Sequence, residues 1–309
     1  MKMTPSFEAL FDDIGMDLSW PLSNPQPAAD GGRLFRDVTY AAPWGFRPLM
    51  LDVRLPPGSG PFPTIVFIHG GAWASGHPTI SNSVYRKLDF FNRFAAAGFA
   101  VARISYRFSA EAAFPAQLHD CKSAIRFLRH HAELLNLDGD RFAAMGDSAG
   151  GHLAALVGLT SNHPELEGSI GITKGSSTVS CVVNWFGPTN FVTMGAQKRA
   201  LAEPWGDSDA ADSPESQLIE GAPPQFPDQA TAASPVTYAH KGAPPMLLQY
   251  GDADRLVPHA QGVELYDALK AVGCDATLQT IAGADHCFWG VENSFIVDDD
   301  IAFFKKHLA

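Results

Sequence analysis

The chain has 309 residues, 46% hydrophobic and 18% charged, so it can bury a sizeable core and is not a disordered protein. Its formal net charge of −11 argues against nucleic acid and anionic membrane as main partners, because phosphate contact needs a basic surface. Four cysteines (Cys121, Cys181, Cys274, Cys287) are scattered, with no C-x-x-C and no His spacing that suggests zinc. They read as free, mostly buried thiols, with a Cys274–Cys287 bridge left open.

The first twenty residues carry acids and Pro5 without a basic start followed by an apolar core, so they do not read as a signal peptide. No run of about 18 apolar residues marks a membrane span. The expectation is a cytoplasmic protein, although a signal removed beforehand would leave no trace. Residues 1–32, with Pro21, Pro25, Pro27, Gly31 and Gly32, are expected to form an N-terminal arm, and residues 33–309 a single α/β domain.

Leu34–Tyr40 and Leu49–Leu55 alternate with period two around Pro43-Trp44-Gly45 and predict an antiparallel pair at a sheet edge. Thr64–Ile68 is a continuous apolar run, the signature of a strand buried on both faces. A helix is expected over Ser83–Ala97, with Gly98 where a C-cap belongs, then a strand over Phe99–Ser105. Pro115–His131 has Leu118, Cys121, Ile125 and Leu128 on one stripe and predicts an amphipathic helix. Strands follow at Phe142–Met145, Val179–Phe186, Met246–Gly251 and Ala276–Ile281. Helices are expected at His152–Leu159, His259–Val272 and Phe295–His307. Strands alternating with helices imply a mostly parallel sheet covered on both faces. Residues 187–244 interrupt this rhythm with Pro, Gly, Ala and Ser, and predict a partly helical cap or lid insertion.

The chemistry centres on Gly146-Asp147-Ser148-Ala149-Gly150, a G-x-S-x-G between a strand and a helix, which is the context of a nucleophile elbow. A strand that reverses sharply into a helix strains Ser148 and brings neighbouring chain close, so only Gly fits at 146 and 150. The turn holds the Ser148 hydroxyl at a helix N-terminus, where developing negative charge is favoured.

A serine hydroxyl needs a base, and the base an orienting acid. In such sheets both arrive on loops after later strands, in the order Ser, acid, His. Asp254 lies in G-x-x-D-x-x-V-P after the strand at 246–251, and is the expected acid. Asp252 is expected to be a turn carboxylate capping its own loop. His286 follows the last strand and is the expected base. Asp285 is expected to be solvated, and His240, His259 and His307 to be surface histidines. His69-Gly70-Gly71-Ala72-Trp73 follows the run ending at Ile68, where backbone N–H donors for an oxyanion are supplied. Gly71, Ala72 and Ala149 are the expected donors, with Gly70 as a replacement for one of them. His69 is expected to brace the loop.

With these strings the sequence resembles the α/β-hydrolase fold. Within it, the similarity is to the group of hormone-sensitive-lipase-like carboxylesterases and bacterial esterases related to feruloyl and acetylxylan esterases. The resemblance rests on HGGAWASG (69–76), residues 104–129, GDSAGGHLAAL (146–156), VNWFGPTNF (183–191), SPESQLIEG (213–221), ASPVTY (233–238), GDADRLVP (251–258) and GADHCF (283–288). It implies a Ser–Asp–His triad at Ser148, Asp254 and His286. Ala72 departs from it, standing where lipase-like members have a third Gly, as does the acidic stretch 207–215. The resemblance implies hydrolysis of a small-molecule ester through an acyl-enzyme, with no metal and no cofactor. Trp73, Asp147, Trp185, Phe288 and Trp289 are candidate substrate contacts, with Trp205 in the cap. An amide- or formamide-cleaving enzyme on the same triad is the rival reading, and a non-catalytic binding protein a remote one. A homo-oligomer is left open.

Overall fold

The protein is described by a computed structural model over residues 24–79 and 83–309. The arm expected at 1–32 therefore lies largely outside the described residues. Its last part enters the sheet as β1 (Gln26–Pro27), which pairs with β2 (Arg33–Ala41). β2 pairs antiparallel with β3 (Leu49–Leu55), as the alternation and the turn at 43–45 predict.

β4 (Phe62–Ile68) is the first deeply buried strand. The single helix expected over 83–97 is broken into α1 (Ser83–Leu88) and α2 (Phe90–Ala96). The break is at Asp89, whose φ of 46° no continuous right-handed helix can hold. β5 (Ala100–Ile104), α3 (Ala116–His130), α4 (Ala132–Leu135), β6 (Leu137–Asp147) and α5 (Ala149–Leu159) follow. Then come β7 (Cys181–Trp185), α6 (Phe191–Arg199), α7 (Pro214–Ile219), α8 (Pro227–Ala232), β8 (Met246–Gly251), α9 (His259–Ala271), β9 (Ala276–Ile281) and α10 (Ser294–His307).

The nine strands of the described residues form one sheet in the order β1-β2-β3-β5-β4-β6-β7-β8-β9. From β5 to β9 every neighbour is parallel, and the antiparallel pairs lie at the β1 edge. This is the mostly parallel α/β-hydrolase arrangement. Parallel strands must be covered on both faces, and the apolar runs of β4, β6, β7 and β8 are accordingly buried.

α3 departs from the expected amphipathic pattern. Its stripe of Leu118, Cys121, Ile125 and Leu128 is buried, but so are Asp120, Lys122, Ser123 and Arg126. Each has a partner that permits this. Asp120 holds Arg107 at 2.7 Å, and Lys122 and Arg126 reach Glu167 at 3.2 and 2.7 Å. Ser123 and Arg126 donate to the carbonyls of Ile170 and Ile172. The 160–178 connection therefore forms a polar jacket over the helix's outer side, which a one-sided pattern could not anticipate.

The 187–244 insertion carries α6, α7 and α8. It is fastened to α9, where Gln261 Oε1 accepts from the N–H groups of Thr189 and Asn190, both at 2.8 Å.

Asp300 on α10 is fully buried, with the Trp185 and Gln249 side chains as its polar neighbours but neither carboxyl oxygen in a well-formed hydrogen bond among the described residues. Burial pushes its pKa well above the usual carboxylate range. The folded state therefore binds this proton more tightly than the unfolded chain. Its contribution is full below the unfolded pKa of about 4 and falls as pH rises above it, by up to about 1.4 kcal/mol per unit. Urea unfolding of Asp300→Asn should show a stability advantage over wild type that is larger at pH 8 than at pH 4. An offset that does not grow with pH would sink this account.

Candidate active site

The elbow is built by steric exclusion. Ser148 has φ 52° and ψ −120°, a conformation a side chain adopts only when its surroundings force it. A Cβ on Gly146 would sit 2.2 Å from the Gly150 carbonyl oxygen, and one on Gly150 would sit 1.9 Å from that of Ile68. The Ser148 N–H donates to the Trp185 carbonyl at 2.9 Å, which locks the turn to β7. The hydroxyl thus stands at the first turn of α5.

Two loops from the far half of the sheet meet it. His286 Nε2 lies 3.1 Å from Ser148 Oγ, and His286 Nδ1 lies 2.8 Å from Asp254 Oδ2. Asp254 and His286 are buried, and Ser148 is partly exposed. The other Asp254 oxygen accepts the N–H groups of Leu256 and Val257 at 2.8 and 2.9 Å, so the residues after Asp254 anchor it. Under the imidazole, the Phe186 ring packs edge-on at 4.8 Å, backed by Phe288 at 4.7 Å.

Two neighbouring acids differ from expectation. Asp285 is not solvated: it is ion-paired with Arg255 and accepts the N–H groups of Arg255 and His286. Asp252 caps the other loop, accepting the Gly283 N–H at 2.6 Å. Local sequence hides both pairings, because the partners lie about thirty residues away. His240, His259 and His307 are only partly exposed, and none of them lines the pocket.

The loop 69–73 faces Ser148 from β4. Gly70 is not available as an oxyanion donor, since its N–H is spent on Asp147 Oδ1 at 2.9 Å. Among the described residues nothing accepts from the N–H groups of Gly71, Ala72 or Ala149. Asp147 also accepts the Tyr85 hydroxyl at 2.9 Å, and burial pushes its pKa up to about 6 against the pull of these two bonds. Asp147 lines the pocket, but its oxygens serve the loop. His69 braces the loop as expected: its ring stacks on Tyr106, Nδ1 meets the Gly70 carbonyl at 2.7 Å, and burial lowers its pKa to about 4. Ala72 and Trp73 both hold left-handed φ values, 56° and 54°. The methyl at Ala72 therefore costs about 1–2 kcal/mol of local strain that a glycine would avoid.

These groups open onto a cavity of about 400 Å³, whose lining includes Ala72, Tyr85, Phe90, Leu256 and Cys287. Of the candidate substrate contacts, none of the aromatic ones lines this cavity. Trp73, Trp185 and Phe288 are fully buried and face other core rings. Their place next to catalytic strings reflects packing beneath the site, not contact with its contents. Trp289 and Trp205 are about half exposed, on or against the same loops, without lining the cavity. No residue of the 187–244 insertion lines it either. Tyr85 and Cys287 were not anticipated: Tyr85 lies in none of the marked strings, and Cys287, within GADHCF (283–288), carries only the expectation of a free, mostly buried thiol. All four cysteines are free, so no 274–287 bridge exists. Among the described residues no group of His, Cys, Asp and Glu could hold a metal ion, and no helix is long and apolar enough to cross a membrane.

Comparison with known proteins fits this geometry. The family model described as BD-FAE matches residues 51–269. The chain belongs to the BD-FAE family. The BD-FAE span holds the 69–73 loop, Ser148 and Asp254, and His286 lies beyond its end. A solved structure titled a truncated form of carbohydrate esterase from gut microbiota is 30% identical with a TM-score of 0.78, covering 91% of this chain and 98% of that one. A bifunctional GH43-CE protein of Bacteroides eggerthii is 32% identical with a TM-score of 0.76, covering 89% of this chain and 38% of that one. Esterase LipC of Mycobacterium tuberculosis is 29% identical over 284 residues, 90% of this chain. The chain spans only 66%, 56% and 54% of the length of LipC and two further mycobacterial relatives.

The elbow's tolerance can be measured. Gly150→Ala should cost about 3 kcal/mol or more by denaturant unfolding, or abolish soluble expression, because backbone and not a movable side chain blocks the new methyl. A variant of wild-type stability would show that α5 can shift away from β4.

Proposed function

We propose that this protein is a serine carboxylesterase acting on short-acyl or aromatic-acid esters through an acyl-enzyme. What carries the reading is the unbroken hydrogen-bonded chain Ser148 Oγ, His286 Nε2, His286 Nδ1, Asp254 Oδ2, facing three N–H groups without acceptors. His286 takes the Ser148 proton as Oγ attacks the ester carbonyl. Asp254 fixes the proton on Nδ1 and stabilises the imidazolium as it forms. The N–H groups of Gly71, Ala72 and Ala149 receive the oxyanion, each contributing roughly 3 kcal/mol to lowering the barrier. His286 then protonates the leaving alcohol, and next activates the water that releases the acid.

The alcohol portion of the substrate is proposed to be a sugar. The carbohydrate-esterase neighbours support this, as do two half-exposed indoles beside the site. Trp205 lies under the Arg255 guanidinium at 4.4 Å, and its backbone N–H donates to the Arg255 carbonyl. Trp289 pairs with Asp285 through backbone bonds. Arg255 and Asp285 join the two through their ion pair. Flat apolar faces next to fixed polar groups suit a pyranose ring.

Ser148→Ala should lower p-nitrophenyl acetate turnover by about 10⁴-fold or more and abolish labelling by a fluorophosphonate probe, with the melting temperature unchanged. Retained turnover would refute the assignment. Faster cleavage of formamides or peptides than of esters would favour the amide reading. Trp289→Ala and Trp205→Ala should raise KM for an acetylated or feruloylated oligosaccharide several-fold while leaving KM for p-nitrophenyl acetate within two-fold. Equal effects on both substrates would remove the sugar subsite.

A further inference from the structure

Among the buried titratable groups that the catalytic reading leaves unused, one lies directly against the 69–73 loop. His152, on the first turn and a half of α5, is wholly inaccessible, yet both ring nitrogens have partners. The Trp73 indole N–H donates to Nδ1 at 3.1 Å, and Nε2 lies 2.7 Å from the Ala233 carbonyl oxygen. An indole only donates and a carbonyl only accepts, so the tautomer follows without ambiguity: Nδ1 bare, Nε2 protonated. The ring also stacks on Phe191 at 5.2 Å and meets the Trp73 ring edge-on at 5.1 Å.

These four contacts join three parts of the chain. Trp73 directly follows Ala72, and both hold left-handed φ values. Two successive strained residues relax unless something outside the loop holds them. The loop's start is held by Gly70 on Asp147 and by the Tyr106 hydroxyl on the His69 carbonyl. Its far end is held by the Trp73 carbonyl, which accepts from Ser109 N–H at 2.8 Å, and by the indole on His152. Ala233 and Phe191 belong to the 187–244 insertion.

From this geometry we infer that His152 is a positioning residue: it clamps Trp73 so that the Ala72 N–H points at the oxyanion, and it ties that alignment to the 187–244 insertion. The inference rests on the esterase reading above and deepens it. His152 touches no reacting atom and acts through Trp73. The clamp works only with a neutral imidazole, because a second proton would face the indole N–H. Burial, opposed by the Ala233 carbonyl, lowers the pKa to about 4, so the ring stays neutral across the range in which a serine esterase works.

Three variants in the full-length protein separate this from plain packing. Trp73→Phe removes the indole donor and keeps an aromatic ring. His152→Gln places an amide nitrogen near the Nε2 position and loses the acceptor facing Trp73. His152→Asn places an amide oxygen near the Nδ1 position and restores that acceptor while losing the bond to Ala233. Each is measured for kcat and KM on p-nitrophenyl acetate and for melting temperature. Misaligning one oxyanion donor should lower kcat about ten-fold with little change in KM. That loss is expected in Trp73→Phe and His152→Gln, with no further loss in the double variant and with most of it recovered in His152→Asn. Losses that track melting temperature equally across all three, or multiply in the double variant, would overturn the clamp. So would unchanged kcat in Trp73→Phe and His152→Gln. Fluorophosphonate labelling of wild type, absent in Ser148→Ala, tests the esterase reading separately, so either idea can fail without the other.

Discussion

The structure turns on a contact with no room in it. α5 leaves β6 so sharply that Gly150 presses against the last carbonyl of β4, and Gly146 presses against Gly150. The oxyanion loop begins one residue after that carbonyl. Ser148 and the N–H groups proposed to receive an oxyanion are therefore positioned by one contact, not by two independent loops. Gly70 shows the same economy. It lies close enough to Asp147 that a Cβ would come within 2.6 Å of the carboxylate, and its N–H is bonded there. A preorganised site needs this kind of shared constraint, because a donor that drifts by an ångström loses much of its effect.

Asp254 and His286, the proposed acid and base, are held in a comparable way. Asp252, on the first loop, caps Gly283 on the second, and Asp285, on the second, caps Arg255 on the first. These reciprocal bonds staple the two loops, and the Asp254–His286 bond and the Ala253 N–H on the Ala284 carbonyl add further links. Phe186 and Phe288 close the underside. The imidazole has little freedom to turn away from Ser148, although it sits on a loop, usually the most variable part of a domain.

Strand order, the elbow turn and the loops that bring Asp254 and His286 to Ser148 were legible because each rests on a short-range cause. Buried parallel strands demand apolar runs, and a sharp strand–helix turn demands glycines at 146 and 150. What escaped were effects whose cause lies far along the chain. The burial of α3's charges depends on Glu167 and on carbonyls near residue 170. The break at Asp89 is a backbone choice that helix propensity does not forbid. Most instructive are Trp73, Trp185 and Phe288, large aromatics beside catalytic strings that face inward. Adjacency in sequence to a reactive residue says little about which side of the sheet's edge a ring occupies. His152 was equally hidden, since a histidine on an apolar helix shows neither its tautomer nor its partners.

Cys287 follows His286 and lines the same cavity as Ser148. Burial pushes its pKa up to about 12, so the sulfur keeps its hydrogen at neutral pH. Two side chains of nucleophilic type thus share one chamber, yet only the oxygen has a base beside it. Intrinsic softness would favour sulfur, but the thiolate that could express it is not formed. On the proposed esterase reading, an electrophile entering the chamber would be sorted by proton affinity, not by reach.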